Sequence, residues 1–476
     1  MRSARLLIAL SLSVASIAVG VTASGATAPY AGPTPGTRCD AGSLPEKMQG
    51  RAPGSDVASG RYAKGYTCNA REISHVGAAG GFRVERYVDP AGHECAFWDS
   101  TLLFPTSVPS QKAEGPGVYV LDMHDPAHPV ITDTLKTPAM LSPHESLRLN
   151  SRRGLLVADM ANPTAYPGLV DVYDVKTDCR HPMLLSSTPL GVLGHEGGFS
   201  PDGNTFWVAS LYAHTLAAVD LTNPVVPTLA FFTYAYQPHG VSISDDGNTL
   251  YMAEAGASNN FHGLRILDVS QVQKRVTNPV VKQISSLTWK TVSTPQNATP
   301  FTRHGHHYLL ETDEFGSGAT IGAARIIDVQ DPRKPAVVSN LRLAVNQPQV
   351  QAEVTKDPGI GSTNPFQGYQ GHYCSLPSRV DPAIIACAFI NSGLRVFDII
   401  DVRAPREIAY FNKPVVAGSV PEQPLRSGAF AMSAPAYDEA SGDIWYTDGN
   451  SGFYVVRLTG TARRAHFAPV VRFPGN

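Results

Sequence analysis

Histidine recurs at one position of a segment that repeats along the chain. When the repeats are aligned on their second predicted β-strand, this column falls at the start of the first strand and contains His144, His195, His239 and His372. Another repeat has Gln296 there, and the first repeat has Arg83 or a neighbour. Neutral imidazole is a good ligand for Cu, Zn, Fe and Ni, so the column could hold a transition-metal ion, with Cu, Zn or Fe as the candidates.

A second column of polar residues lies at the end of each second strand. Its members are Asp99, Asp159, Ser210, Glu254, Glu311, Asn391 and Asp448. Because adjacent antiparallel strands run in opposite directions, the two columns should converge on one face of the molecule. Arg83, Gln296, Asp159, Glu254, Glu311 and Asp448 are therefore predicted to bind a ligand. Glu145 and Glu196 each follow a histidine, and a regular strand would turn them to its opposite side.

An apolar segment defines the repeat and predicts the fold. Its seven copies are Gly117–Asp122, Val170–Asp174, Leu216–Asp220, Gly263–Asp268, Ala323–Asp328, Gly393–Asp398 and Gly452–Arg457. Hairpin turns precede most copies, and apolar strands follow several of them. Each repeat therefore resembles four antiparallel strands, which are called A to D, and the apolar segment is strand C. Four-stranded sheets of this size cover their faces by radial stacking. The expected fold is an all-β, seven-bladed β-propeller.

The ends of the chain suggest how the ring closes. The segment Glu72–Gly77 resembles a strand D and precedes the first complete repeat, so we expect it to be the outer strand of blade seven. The competing assignment places Val470–Phe473 there. Residues 29–69 are predicted to form an irregular N-terminal arm, and residues 70–476 the propeller.

The propeller geometry leaves several functions open for the histidine column. Strand A borders the central channel, so four imidazoles could surround a metal, with carboxylates orienting their second nitrogens. Alternatively, the channel mouth is a metal-free polar pocket for a small ligand or peptide. If Arg83 faces the channel, an anionic ligand is favoured over a cation. In a third interpretation, the histidines only make structural hydrogen bonds within the blades. At the level of the whole protein, the alternatives are a scaffold for partner proteins and a metal-dependent oxidoreductase or lyase.

Several strings resemble the LVIVD-repeat family of bacterial secreted β-propellers. They are the strand C copies together with Ser293–Ala298, Pro300–Thr302, Gly322–Asp328, Gly371–Cys374 and Gly449–Tyr454. The resemblance covers roughly residues 70 to 460. It implies a propeller fold and an exported location, but no single activity and no catalytic residue.

The N-terminus has the layout of a secretory signal peptide. Arg2 and Arg5 precede an apolar stretch from Leu6 to Val21, and small residues follow. This stretch is shorter than the roughly 20 residues that span a bilayer. We therefore predict a signal peptide in residues 1–28, cleaved near 23–28, and a secreted or extracytoplasmic protein with no membrane span in the mature chain.

Composition and cysteine content agree with export. The 476 residues carry a net charge of −2 and lack a basic stripe, which argues against nucleic acid as a partner. Six cysteines in an exported chain are expected to form disulfides. Cys374 and Cys387 flank a predicted hairpin and should pair. Cys39, Cys68, Cys95 and Cys179 allow three pairings, of which we prefer Cys39–Cys68 and Cys95–Cys179.

Overall fold

The computed structural model describes residues 32–100, 115–160, 167–256, 260–316, 319–359, 368–419 and 427–466. Both the predicted signal peptide and the segment Val470–Phe473 lie outside these ranges. Within them the chain forms seven antiparallel sheets around a channel, which confirms the seven-bladed propeller.

Each blade has four strands that follow one another from the channel outward. Blade one consists of Val84–Val88, Glu94–Asp99, Val118–Asp122 and Val130–Leu135. Blade two consists of Arg148–Asn150, Leu155–Asp159, Val170–Asp174 and Met183–Thr188. Blade three consists of Glu196–Phe199, Thr205–Ser210, Thr215–Asp220 and Thr228–Thr233. Blade four consists of Pro238–Ile243, Thr249–Ala255, His262–Asp268 and Lys282–Leu287. Blade five consists of Thr294–Arg303, His306–Glu314, Ala324–Asp328 and Ala336–Leu341. Blade six consists of Gly371–Ser375, Ile384–Phe389, Gly393–Asp398 and Arg406–Asn412. Blade seven consists of Ala436–Asp438, Asp443–Asp448, Gly452–Leu458 and Ala70–Val76.

All seven predicted apolar segments are the third strands of their blades. These strands are buried on both faces because neighbouring blades cover them. Val157 and Val172 of blade two, for example, pack in one cluster with Phe206 and Val219 of blade three. The core is thus a ring of such clusters between blades, and it holds every strand A in place around the channel.

The A–B hairpins use the turn residues that the sequence suggested. Gly203 donates its backbone N–H to the carbonyl of Ser200 at 2.9 Å and has a φ of 70°. Gly247 repeats this arrangement with Ser244 at 2.9 Å and a φ of 75°. Glycine adopts such a φ without the steric cost that a Cβ would bring. The tight turns fix the register of strand A against strand B.

The ring closes through Ala70–Val76, which pairs with Gly452–Leu458 as the outer strand of blade seven. This confirms the assignment of Glu72–Gly77 to that position. The N-terminal arm is less irregular than predicted, because Tyr66–Cys68 pairs with Arg406–Asn412 as a fifth strand of blade six. The last residues of the arm therefore extend the sheet of blade six.

Helices are short and peripheral. Those in the described residues are Gly54–Ala58, Pro138–Leu141, Ser270–Gln273, Gln351–Val354 and Gly460–His466. None of the helices in these ranges has the length and apolar character needed to cross a membrane.

The three predicted disulfides are all present, as Cys39–Cys68, Cys95–Cys179 and Cys374–Cys387. The first fastens the arm beside its added strand, and the second joins blades one and two. Cys374 and Cys387 are directly opposite each other on strands A and B of blade six, with their Cα atoms 4.0 Å apart.

Removing the Cys374–Cys387 bridge should destabilise the protein by about 2–3 kcal/mol, because the bridge closes a loop of 13 residues and restricts the unfolded chain. The test is urea unfolding of the oxidised double variant Cys374→Ala/Cys387→Ala, in which the other two bridges remain. A free energy of unfolding equal to that of the wild type would contradict the prediction.

Candidate functional site

The four histidines of the column meet inside the central channel. His144, His195, His239 and His372 are all at most 5% exposed. The ring centroids of His144 and His195 are 4.2 Å apart, and those of His195 and His239 are 4.7 Å apart. These four side chains and the carboxylate between them are called the histidine cluster below.

Local irregularities in strand A aim the column into the channel. In blade four Pro238 and Gly240 pair with consecutive residues of strand B, so His239 is an extra, bulged residue. The same register shift occurs at Gln296 in blade five and at His372 in blade six. A β-bulge re-aims one side chain relative to the pleat. Three members of the column, His239, Gln296 and His372, are thus bulged residues at equivalent positions, whereas His144 and His195 precede strand A of their blades.

The carboxylate at the centre of the cluster belongs to Glu145. Its Oε2 lies 3.1 Å from Nε2 of His195 and 3.8 Å from Nε2 of His239. Its Oε1 lies 3.2 Å from Nε2 of His372 and 3.9 Å from Nδ1 of His144. One carboxylate therefore approaches a ring nitrogen of each histidine to within 4 Å.

The expectation that Glu145 turns away from the histidines is wrong. His144 has a φ of 52°, and strand A of blade two begins only at Arg148. The alternation of a regular strand does not apply to this segment, so His144 and Glu145 both reach the channel. Glu196 instead contacts Arg83 and Arg148 and accepts a hydrogen bond from Nδ2 of Asn297 at 2.6 Å.

Two of the rings are oriented by the backbone of the next blade. Nδ1 of His239 is 2.8 Å from the carbonyl of Pro295, and Nδ1 of His372 is 2.7 Å from the carbonyl of Met432. A carbonyl only accepts, so each Nδ1 donates and each Nε2 faces the cluster. For His372 that nitrogen also lies 3.2 Å from Oε2 of Glu314.

The carboxylates and imidazoles shift one another's pKa values. Burial favours a neutral ring, but hydrogen bonds and charge from Glu145 and Glu314 raise the pKa of His372 to about 9. Burial and the neighbouring His195 lower the pKa of His239 to about 3. Burial opposes ionisation of Glu145, but the surrounding imidazoles hold its pKa well below the usual range. Glu145 therefore carries negative charge at the centre of the cluster, and the raised pKa of His372 places a positive charge beside it.

Tyr373, Gln296 and Glu314 complete the surroundings of Glu145. The hydroxyl of Tyr373 donates to Oε2 of Glu145 at 3.0 Å, and Nε2 of Gln296 donates to the same atom. Gln296 was predicted here, whereas Tyr373 and Glu314 were not. Glu314 escaped prediction because strand B of blade five continues three residues past Glu311.

Arg83 lies in the channel next to the cluster, and a neighbouring carboxylate compensates part of its charge. Its guanidinium contacts the Glu196 carboxylate, and its Nε donates to the main-chain carbonyl of Glu145 at 2.9 Å. The same guanidinium lies 4.0 Å from the ring centroid of Tyr373. Glu196 therefore offsets part of the Arg83 charge that a cation in the cluster would meet, and it also contacts Arg148.

The second column mostly supports its own blades. Asp99 accepts hydrogen bonds from the backbone N–H groups of Phe82 and Arg83, both at 3.0 Å. Asp448 does the same for Phe430 at 2.7 Å, and Glu254 for Gln237 at 3.2 Å.

The other two predicted carboxylates are buried elsewhere in their blades. Glu311 contacts Arg325, and Asp159 lies against Gly194. The hydrogen bonds to Asp99, Glu254 and Asp448 explain how the loops before strand A are held in their blades, and the ligand contacts predicted for the column stay predictions.

One flank of the cluster leads to the surface through Tyr212. This side chain is 51% exposed, and its ring stands edge-on to His195 with centroids 5.4 Å apart. A ligand that reached the cluster from this end of the channel would pass Tyr212 first.

Comparisons with known proteins show the fold alone. No protein-family model and no curated protein matches the chain. Among solved structures, hydrazine synthase of Kuenenia stuttgartiensis is 12% identical, with a TM-score of 0.51 over 81% of this chain and 97% of its own. The periplasmic gluconolactonase of Pseudomonas aeruginosa is 14% identical, with a TM-score of 0.47 over 74% of this chain and 94% of its own. Membership of the LVIVD-repeat family stays a prediction.

Proposed function

We propose that this protein is an exported propeller that binds one first-row transition-metal ion, Cu, Zn or Fe, in the histidine cluster. The observation that carries the proposal is the position of the Glu145 carboxylate, within 4 Å of a ring nitrogen on each of four buried histidines. Ligand atoms of His144, Glu145 and His195 also lie within 4.8 Å of one another.

The hydrogen-bonding pattern argues for a cation among these groups. His239 donates from Nδ1 to a carbonyl, so in the neutral ring Nε2 carries a lone pair, and this lone pair faces carboxylates of Glu145 and Glu314 at 3.8 and 3.5 Å. Two acceptors repel unless a positive charge lies between them. A metal ion supplies that charge and can be bound by both the imidazole nitrogen and the carboxylate oxygens.

The donor set selects the class of metal. Imidazole nitrogen suits Zn, Cu and Fe, whereas Ca²⁺ and Mg²⁺ take oxygen ligands. Anchoring the second ring nitrogen on a backbone carbonyl, as in His239 and His372, is the usual way of fixing a metal-binding imidazole.

A proton is the alternative cation. Protonated His372 would satisfy Glu145 and Glu314 at 3.2 Å each without any metal, and the cluster would then be structural. This alternative accounts less well for His195, of which neither ring nitrogen makes an aligned hydrogen bond within the described residues although the side chain is buried. A buried imidazole without an aligned hydrogen bond is costly, and a bound metal would satisfy it.

Export belongs to the same proposal. It is supported by the N-terminal sequence and by the three disulfides, which persist in oxidising compartments. A fusion of residues 1–28 to a reporter enzyme that is active only after export tests this part. Retention of the reporter in the cytoplasm would refute it.

Protein isolated from its exported compartment should contain about one equivalent of Cu, Zn or Fe by elemental mass spectrometry. Chelation should lower the melting temperature and re-addition should restore it, since a metal at 100 times its Kd stabilises the folded state by about 2.7 kcal/mol. Ca²⁺ serves as the control and should have no effect. Metal-free protein that none of the three metals stabilises would overturn the proposal.

A further inference from the structure

The channel has a second opening, at the end away from the histidines. A cavity of about 480 Å³ lies there, lined by residues from the far ends of strand A in six of the seven blades. Four arginines, Arg83, Arg86, Arg148 and Arg379, and two carboxyl groups, Glu85 and Glu439, are among its lining residues. The volume is in the range of small-molecule sites.

Hydrogen bonds fix the positions of two of these arginines, Arg148 and Arg379, without using all of their N–H donors. Arg148 donates from Nε to the carbonyl of Gly197 at 2.7 Å and from Nη2 to Glu196, and Nη1 has no partner among the described residues. Arg379 donates from Nη1 to Ile243 at 2.8 Å and to Asp245 at 3.0 Å. Its Nε is buried and has no hydrogen-bond partner in the part of the chain that the structure describes.

The charges around the cavity are also incompletely matched. Arg83 and Arg148 share the single carboxylate of Glu196. Burial, against the opposing effect of these two arginines, raises the pKa of Glu85 to about 7, so this group is only partly ionised near neutral pH. Asp245, the partner of Arg379, is half exposed, and solvent screens its charge.

We propose that this cavity binds a small anion through a carboxylate or phosphate group held by Arg148 and Arg379. Guanidinium groups fixed in position offer paired N–H donors that match the oxygens of either group. The uncommitted Nη1 of Arg148 would gain hydrogen bonds from such a ligand, and the guanidinium of Arg379 in the lining supplies a second positive charge. The proposal is independent of the metal in the histidine cluster.

Calorimetric titration with inorganic phosphate and, separately, with succinate tests the proposal and distinguishes the two anion classes. Wild-type protein should bind at least one of them. Arg148→Gln and Arg379→Gln should each weaken binding about tenfold or more, and Glu85→Gln should strengthen it several-fold by removing a competing negative charge. Arg333→Gln, on an exposed turn of blade five, is the matched control and should bind like the wild type.

The arginine variants are expected to bind the anion more weakly and Glu85→Gln more tightly, so loss of folding cannot produce both results. Thermal unfolding identifies any variant that does not fold, and Glu85→Gln adds no buried charge. Absence of binding of both anions to the folded wild type would overturn the proposal. Unchanged affinity in folded Arg148→Gln and Arg379→Gln, or weaker binding in Glu85→Gln, would overturn it as well.

Discussion

Replacing His195 and His239 together by alanine is expected to abolish metal binding while the propeller stays folded. The double variant removes two of the four imidazole donors and leaves Glu145 with His144 and His372. Loss of a group that only orients a ligand already costs roughly 10–100-fold in metal affinity, so loss of two direct ligands should exceed 100-fold. Metal content after gel filtration should fall from about one equivalent to near zero.

The fold should survive because these rings contribute little to the core. Within the part of the chain that the structure describes, the ring of His239 makes a single hydrogen bond to a neighbouring blade, and the ring of His195 makes none that is aligned. The apolar clusters between blades do not include either residue. Circular dichroism of the metal-free variant and the metal-free wild type should therefore match.

The matched control is His124→Ala/His128→Ala, which removes two exposed histidines from the outer turn of blade one. It should retain the metal of the wild type. If the cluster is only structural, the His195/His239 variant should instead lose thermal stability, while wild type, control and variant all contain no metal. Equal metal content in wild type and double variant would refute the assignment of these two ligands.

The fold was predictable because it depends on a pattern that repeats. Seven apolar segments ending mostly in aspartate specify seven equivalent strands, and each segment corresponds to one blade. The short strand Tyr66–Cys68 was not predictable in this way, since it has three residues and pairs with blade six across more than 300 positions of sequence. Such a strand carries too little periodicity to be recognised.

The histidines of the site were predictable and its central carboxylate was not. A column of equivalent residues needs only the repeat, which is why His144, His195, His239 and His372 could be grouped. The position of the Glu145 carboxylate depends on the local backbone conformation, namely the positive φ of His144 and the late start of strand A in blade two. The bulges at His239 and His372 depend likewise on register against strand B, which the sequence does not reveal.

The second column is a repeated pattern whose hydrogen-bond partners in the described residues are structural, and its role in ligand binding stays a prediction. Its members do recur at equivalent positions, but the equivalence reflects a shared structural task. Asp99 and Asp448 bind the backbone N–H groups at the entrance to strand A of their own blades. A repeated polar residue in a repeat protein thus indicates either a site or a support, and hydrogen-bond partners decide between them.

The strongest of these supports is the buried group around Arg325 in blade five. Arg325 and Glu311 have fully buried side chains in contact, and Arg325 also lies 3.0 Å from Asp313. The guanidinium stacks on Trp289, with 4.0 Å to the ring centroid. Replacing Arg325 by methionine should lower the free energy of unfolding by about 3–5 kcal/mol, because two buried carboxyl groups lose their counter-charge.

Urea unfolding of Arg325→Met and of Arg333→Met measures this effect, and the second variant is the control. Arg333 pairs with Asp331 on an exposed turn of the same blade, so its replacement should leave the unfolding midpoint unchanged. The triple variant Arg325→Met/Glu311→Gln/Asp313→Asn separates charge from packing. If uncompensated charge causes the loss, neutralising both carboxyl groups should recover part of the stability; no recovery would assign the loss to the contact between Arg325 and Trp289.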